Sequence, residues 1–291
     1  MAVLYELHGS PELTDPVLVL GMEGWVDAGY GAATAVSGLL GGIETEVLAS
    51  FDDDGLLDHR ARRPVAHLRD GINTGLTWPA IELRHARPGE GRDLLVLSGP
   101  EPDLRWREFV AGVLGLAEQL GVTLVVGLGA FPAPVPHTRP VRLAATATTA
   151  ELASQVGFIA GSIDVPAGIH AALERGFAEA GLPCVGIWAR VPHYVAAMPY
   201  PAASAALLDK LSQLAGIPVN SDALHRAADV TRRRVDELIA NSQEHSEMVR
   251  QLEAQHDADM GPSGLGAGPL PSGDELAVEL ERFLRNEGGD R

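Results

Sequence analysis

Four short polar clusters in this chain fall just past expected strand ends, where an α/β fold places its functional loops. The first, Gly24-Trp25-Val26-Asp27-Ala28-Gly29, pairs an indole suited to lining a crevice with a carboxylate. Asp27 suits capping of the helix that follows, which is the preferred reading. The second is Asp58-His59-Arg60-Ala61-Arg62-Arg63-Pro64. Guanidinium forks match carboxylates and phosphates, and pairing with Asp52–Asp54 fits these arginines at least as well. The third, Ser98-Gly99-Pro100-Glu101-Pro102-Asp103-Leu104-Arg105-Trp106-Arg107, gathers Asp103 and Arg105 around a helix start. The fourth runs from Gly129 to Pro140, with Pro132, Pro134, Pro136 and Pro140 stiffening a loop tipped by His137-Thr138-Arg139. A stiff loop loses little ordering entropy on contact, which suits recognition. His193, after Val191-Pro192, is expected on the same rim. The candidate binding set is therefore Trp25, Asp27, Asp58, Arg60, Arg62, Asp103, Arg105, His137, Thr138, Arg139 and His193.

Bond-making machinery is harder to find. Gly21-x-x-Gly24 matches neither dinucleotide nor phosphate-loop spacing and reads as tight-turn glycines. Gly127-Leu128-Gly129 is followed by prolines, and the segment reads as an extended loop rather than a helix N-terminus presented to an anion. There is no Gly-x-Ser-x-Gly elbow, and the ten histidines form no compact ligand set. Phe51-Asp52-Asp53-Asp54-Gly55 lacks the alternating ligands and terminal Glu of a calcium loop and reads as a solvated turn. Cys184, the single cysteine, lies in an apolar run where a buried, inert thiol is expected. No catalytic residue, metal ligand or cofactor is assigned, and the chain leans away from being an enzyme.

The elements that must position these clusters follow from periodicity. Residues 17–20, 46–51, 80–86, 93–97, 122–126, 141–146 and 185–189 read as strands, several of them continuous apolar runs typical of a parallel sheet covered on both faces. Helices are expected over 28–40, 103–120 with Asp103 as N-cap, 151–155, 168–180 and 202–214. Gly181 and Gly216 stop the last two, each followed within two residues by proline. The expectation is a three-layer α/β domain over 1–219 with a mostly parallel central sheet. Residues 220–260 read as a long helix or helical hairpin with a weak heptad. A Gly/Pro linker follows at 261–271. A last helix is expected over 272–291, with Leu276, Leu280, Phe283 and Leu284 as an apolar stripe in need of a surface.

The formal charge of −17 and the single lysine, Lys210, argue against nucleic-acid and anionic membrane surfaces. Met-Ala-Val-Leu-Tyr-Glu lacks the basic start of a signal peptide, and no apolar stretch is long enough to span a bilayer. A cytoplasmic location is expected.

The clusters, in this order, resemble the proteasome assembly chaperone 2 family, in particular its actinobacterial branch. The matching segments are GWVDAG at 24–29, FDDDGLLDHRARRP at 51–64, LSGPEPDLRWREF at 97–109, GAFPAPVPHTRPV at 129–141, PAGIHAAL at 166–173, VPHYVAAMPYP at 191–201 and LPSGDELAVELERFLR at 270–285. The resemblance implies a phosphorylase- or hydrolase-like α/β fold, assembly into homo-oligomers with trimers favoured, and a chaperone role toward proteasome subunits or other protein partners. The rival reading is a small-molecule binder or enzyme acting on a nucleoside-like or phosphorylated ligand through Arg60, Arg62, Arg105, His137 and Arg139.

Overall fold

The computed structural model describes residues 4–89 and 91–259. Ten strands are present among them: β1 (Tyr5–Leu7), β2 (Val17–Glu23), β3 (Thr45–Phe51), β4 (Val65–Arg69), β5 (Ile72–Thr77), β6 (Glu82–Ala86), β7 (Leu94–Pro100), β8 (Leu124–Ala133), β9 (Leu143–Ala147) and β10 (Cys184–Pro192). The helices are α1 (Gly31–Gly41), α2 (Asp53–Leu56), α3 (Trp106–Gln119), α4 (Ala150–Val156), α5 (Ile169–Ala180), α6 (Pro201–Ala215), α7 (Asp222–Ala240) and α8 (Gln243–Asp259), with short 3-10 turns at Ala28–Tyr30 and His193–Val195.

Eight strands form one sheet in the order β1-β3-β6-β7-β2-β8-β10-β9. Its centre, β7-β2-β8-β10, is parallel, and the outer pairings are antiparallel. Val17–Leu20 and Leu94–Leu97 are buried throughout, as strands sandwiched between helix layers must be. One face packs Val19, Leu128 and Ile187 with Val36 of α1 and Leu207, Leu208 and Leu211 of α6. The other packs Leu20, Leu97 and Val125 with Phe109 of α3 and Leu173 and Phe177 of α5. The result is three layers.

Gly181 and Gly216 take left-handed conformations (φ +72° and +65°) as helix stops, where a side chain would be strained. Gly21 is not a turn glycine. It lies inside β2, and a Cβ there would sit 2.5 Å from a Val36 methyl, so its bareness lets α1 lie close on the sheet. Strand β8 continues through Gly129 and Pro132 to Ala133, where an extended loop was expected. Pairing of β2 with β8 stops at Gly127, so this stretch is bonded on one side only and tolerates a proline.

Asp103 does not cap α3. Arg105 holds the cap position in a left-handed conformation (φ +56°), while the Asp103 carboxylate is taken up elsewhere. The acidic turn at 52–54 opens α2: Asp52 accepts from the Gly55 N–H at 3.2 Å, and Asp53 accepts from the Ile81 N–H at 2.9 Å. β4 and β5 were not anticipated, although Asp70-Gly71 between them is a strong two-residue hairpin signal. Both residues have positive φ (+52° and +82°), as a type I′ turn requires.

Beyond the sheet, α7 and α8 are joined at Asn241-Ser242. The expected linker at 261–271 and helix at 272–291 lie outside the described residues. No helix among the described residues is long and apolar enough to cross a membrane.

Candidate functional site

β2, β7, β8 and β10 all end at one edge of the sheet, as does β3, which is antiparallel to β6 and so parallel to β7. The polar clusters leave from this rim, but they divide into two networks with no bonding partner in common.

The first network lies beyond β3 and β7. Asp103 accepts from the Asp58 N–H at 2.9 Å and from Arg62 Nε at 3.2 Å. Asp58 accepts from the Arg60 N–H at 2.9 Å, and the Arg60 side chain is exposed. Arg105 forks onto Glu108 at 2.7 and 3.1 Å and reaches Asp52 at 3.5 Å. The acidic run thus neutralises Arg105 rather than Arg60 or Arg62.

The second network joins the β8–β9 loop to α7 and α8. The His137 N–H donates to Tyr194 Oη at 2.9 Å, and Oη lies 2.7 Å from His137 Nδ1. Tyr194 Oη accepts the backbone proton, so its own proton points to Nδ1. Nε2 then carries the imidazole proton and donates it to Asp236 of α7 at 3.0 Å. The His137 side chain is 1% exposed. Thr138 donates to Glu253 of α8. Arg139 bonds Glu253 at 3.1 Å and Asp257 at 2.7 and 2.9 Å. The guanidinium draws the Asp257 carboxyl down to about 2, and the two carboxylates hold Arg139 in its charged form. His193 is exposed, its ring edge-on to Tyr194 at 5.3 Å.

Between these networks, Asp27 accepts from the Ala32 and Ala33 N–H groups at 2.8 and 2.9 Å, in the first turn of α1. Burial raises its pKa, and those amides partly offset the rise. Trp25 is 60% exposed and lies beside Gly168 and the Glu101 carboxylate, which accepts from the Ile169 N–H at 2.7 Å. Segment 157–168, which leads to this point, exposes Phe158, Ile163 and Val165. Apolar side chains therefore stand in solvent at this rim beside the exposed Arg60, Arg63 and His193.

One polar group escaped the sequence reading. Glu174 of α5 bonds Thr146 at 2.6 Å, which also accepts from the Trp188 indole N–H at 3.2 Å. His170 lies one turn earlier on the same helix. Its i,i+4 spacing from Glu174, on a helix whose apolar stripe is Ile169, Leu173 and Phe177, was the available signal. Burial pushes the His170 imidazole down to about 4 and keeps it neutral, and it raises both the Glu174 carboxyl and the Cys184 thiol. The raised thiol pKa keeps Cys184 protonated at neutral pH. Among the described residues, no group of three or more His, Cys, Asp or Glu side chains is placed to hold a metal ion.

Two further features complete the surface. The β4–β5 hairpin is exposed along its whole length, with Val65, Leu68, Ile72 and Leu76 in solvent. A cleft of about 550 Å³ opens between α1 and the sheet, bordered by Val36 and Leu40 on one side and by Thr45, Arg84 and Ser98 on the other, with Glu23 alongside.

Comparison with known proteins agrees with this architecture. A Corynebacterium glutamicum protein of unknown function is 33% identical, superposes with a TM-score of 0.83, and the match covers 89% of this chain and 98% of that one. A Mycobacterium tuberculosis proteasome-assembly chaperone homologue is 36% identical, with a TM-score of 0.74 and coverage of 80% and 99%. A PAC2 family protein from Streptomyces avermitilis is 38% identical, with a TM-score of 0.73 and coverage of 81% and 100%. A search of curated proteins found no match. The PAC2 family model matches residues 21–239, a span that takes in most of the parallel core, the first rim network, the β8–β9 loop and nearly all of α7 but not α8, and the chain belongs to the PAC2 family.

Proposed function

We propose that this chain is a non-enzymatic, chaperone-type assembly factor. It binds protein partners, proteasome subunits foremost, in the cytoplasm, and works as a homo-oligomer with the trimer favoured. One observation carries the reading: at the rim Arg62, Arg105, His137 and Arg139 are bonded within the chain, while Trp25, Phe158, Ile163 and Val165 face solvent. Exposed apolar surface of this kind suits contact with another protein more than it suits chemistry. The 36% identity to a relative described as a proteasome-assembly chaperone homologue supports the choice of partner.

The test is capture of purified proteasome α- and β-subunits by the tagged full chain, beside a Trp25→Ala, Phe158→Ser variant. Retention by the wild-type chain and loss by the variant are expected. No retention of any subunit would remove the proposed partner. For the small-molecule reading, Arg62, Arg105 and Arg139 already engage carboxylates, which a phosphate would have to displace. Nucleosides and inorganic phosphate are expected to leave Tm unchanged, and a saturable rise would reverse the preference.

A further inference from the structure

We propose that the last segment of this chain, residues 272–285, docks on the exposed apolar strip at residues 157–168 of the same copy. The inference rests on the partner-binding reading in one respect: a partner seated on Trp25 and Phe158 would have to displace this tail.

Residues 157–168 form neither helix nor strand, and residues 160–167 are all exposed. A stretch of that length without regular structure is uncommon in a compact domain unless it has a use. Its two ends are nonetheless fixed. The Gly157 carbonyl accepts from the Ala145 N–H of the edge strand β9 at 2.7 Å. Gly168 lies beside the Trp25 indole, and the next N–H, of Ile169, is held by Glu101 at 2.7 Å. Between these anchors Phe158, Ile163 and Val165 are each more than half exposed, as is Trp25 at the far end. Asp164 is the one charged residue in the stretch, so an apolar helix face laid there strips little that needs water.

The chain itself carries the complementary face. Beyond Asp259, where the described residues end, the sequence supplies Leu276, Leu280, Phe283 and Leu284, at the i, i+4, i+7 and i+8 spacing of one helical face. Ser272 and Glu275 have capping-box spacing just ahead of them. A lone helix of fourteen residues is marginal in water and gains its order from the surface it covers. Residues 272–291 carry six acidic side chains against three arginines, so the strip, with its single charge, repels them less than the acidic body does.

Reach selects the surface. Asp257, near the end of α8, bonds Arg139 at 2.7 Å. Arg139 precedes Ala145 by six positions, a chain span of at most about 20 Å. The tail therefore starts near the Gly157 end of the strip. Twelve residues, 260–271, separate α8 from the stripe segment. A Gly-rich chain of that length spans about 20 Å on average and about 40 Å at most. Tethering at this distance sets a local concentration on the order of millimolar, which favours the chain's own tail over that of another copy. Helix α7 also exposes Val230 and Leu238. They stand eight positions apart with Arg233, Arg234 and Glu237 between them, and make no continuous apolar strip.

The experiment is hydrogen exchange of the full chain at low micromolar concentration, read by mass spectrometry beside a Leu280→Asp/Phe283→Asp variant. The variant alters no described residue, and circular dichroism checks that the core is unchanged. Amides of residues 158–165 are expected to exchange at least roughly tenfold faster in the variant. A second variant, Ile163→Cys/Phe283→Cys, is oxidised; Cys184 is buried and does not compete. A disulfide closed within one chain is expected. Equal exchange in wild type and variant would overturn the inference. So would a change confined to α7, which would place the stripe on Val230 and Leu238. A disulfide formed between copies would make a second copy's tail the occupant and overturn it as well. The proteasome-subunit partner is tested apart from this: faster exchange in the variant, with no subunit captured by either chain, would remove that partner and leave the docking in place.

Discussion

The loop at residues 134–140 and the β4–β5 hairpin leave the same end of the same sheet, and they end in opposite situations. The loop carries His137, Thr138 and Arg139 into contact with Asp236, Glu253 and Asp257, so nearly every polar atom it presents has a partner on α7 or α8. The hairpin carries Val65, Leu68, Ile72 and Leu76 into water, and among the described residues it meets its own body at the root, where Trp78 lies against His59. A polar group drawn against the body needs a partner there, as the buried His137 imidazole has in Asp236. The chain therefore supplies those partners itself. Apolar surface has no such need, and its burial can be completed by another molecule. Charge-rich loops are thus a poor guide to intermolecular contacts in this fold, and the exposed hydrophobes are a better one.

The comparison can be broken first at His137. His137→Ala empties a buried space and removes the imidazole between Tyr194 Oη and Asp236, and it is expected to lower stability by roughly 3 kcal/mol in urea unfolding. No change would mean that the loop is not held by this contact. Tyr194→Phe keeps the ring but removes the hydroxyl bonded to both the His137 N–H and Nδ1. A loss of about 1–2 kcal/mol is expected, with faster amide exchange in residues 134–140.

The ion pairs of Arg139 sharpen the contrast by pH and salt. The folded-state pKa of Asp257, about 2, is below the unfolded value near 4. Its contribution is therefore complete above about pH 4 and lost as pH falls toward 2. Amide exchange in α8 should accelerate across that window. Arg139→Ala should abolish the acid step, and about 1 M salt should shrink it. An acid step that survives in Arg139→Ala would assign it to other carboxylates.

The smallest effect is expected at the hairpin. At protein concentrations low enough to keep copies apart, Leu68→Ser/Ile72→Ser should change stability by no more than about 0.5 kcal/mol. A larger loss would show that the hairpin packs on its own chain, and the contrast would fail.

Much of the core was legible in the residue order. Val17–Leu20 and Val125-Val126 are apolar without alternation because helices cover both faces of the parallel strands, and helix stops at Gly181 and Gly216 were marked by the left-handed turn that only glycine takes easily. Other features were masked by local ambiguity. β4 and β5 mix His67, Arg69, Asn73 and Thr74 among their apolar residues, so neither strand offers a clean buried face, and the Asp70-Gly71 signal stood without one. Asp103 has cap chemistry at a helix start, yet Arg62, 41 residues earlier, holds its carboxylate.

What the sequence by itself determined is the layered α/β core, the rim where its loops gather, and the residue types each loop brings there, since all three follow from local periodicity, turn chemistry and family likeness. Only the tertiary structure decided where those side chains end. His137 meets Asp236 from 99 positions away, and Arg139 meets Asp257 from 118. Contacts over such separations are set by how α7 and α8 return across the core, which no pattern in the loop encodes.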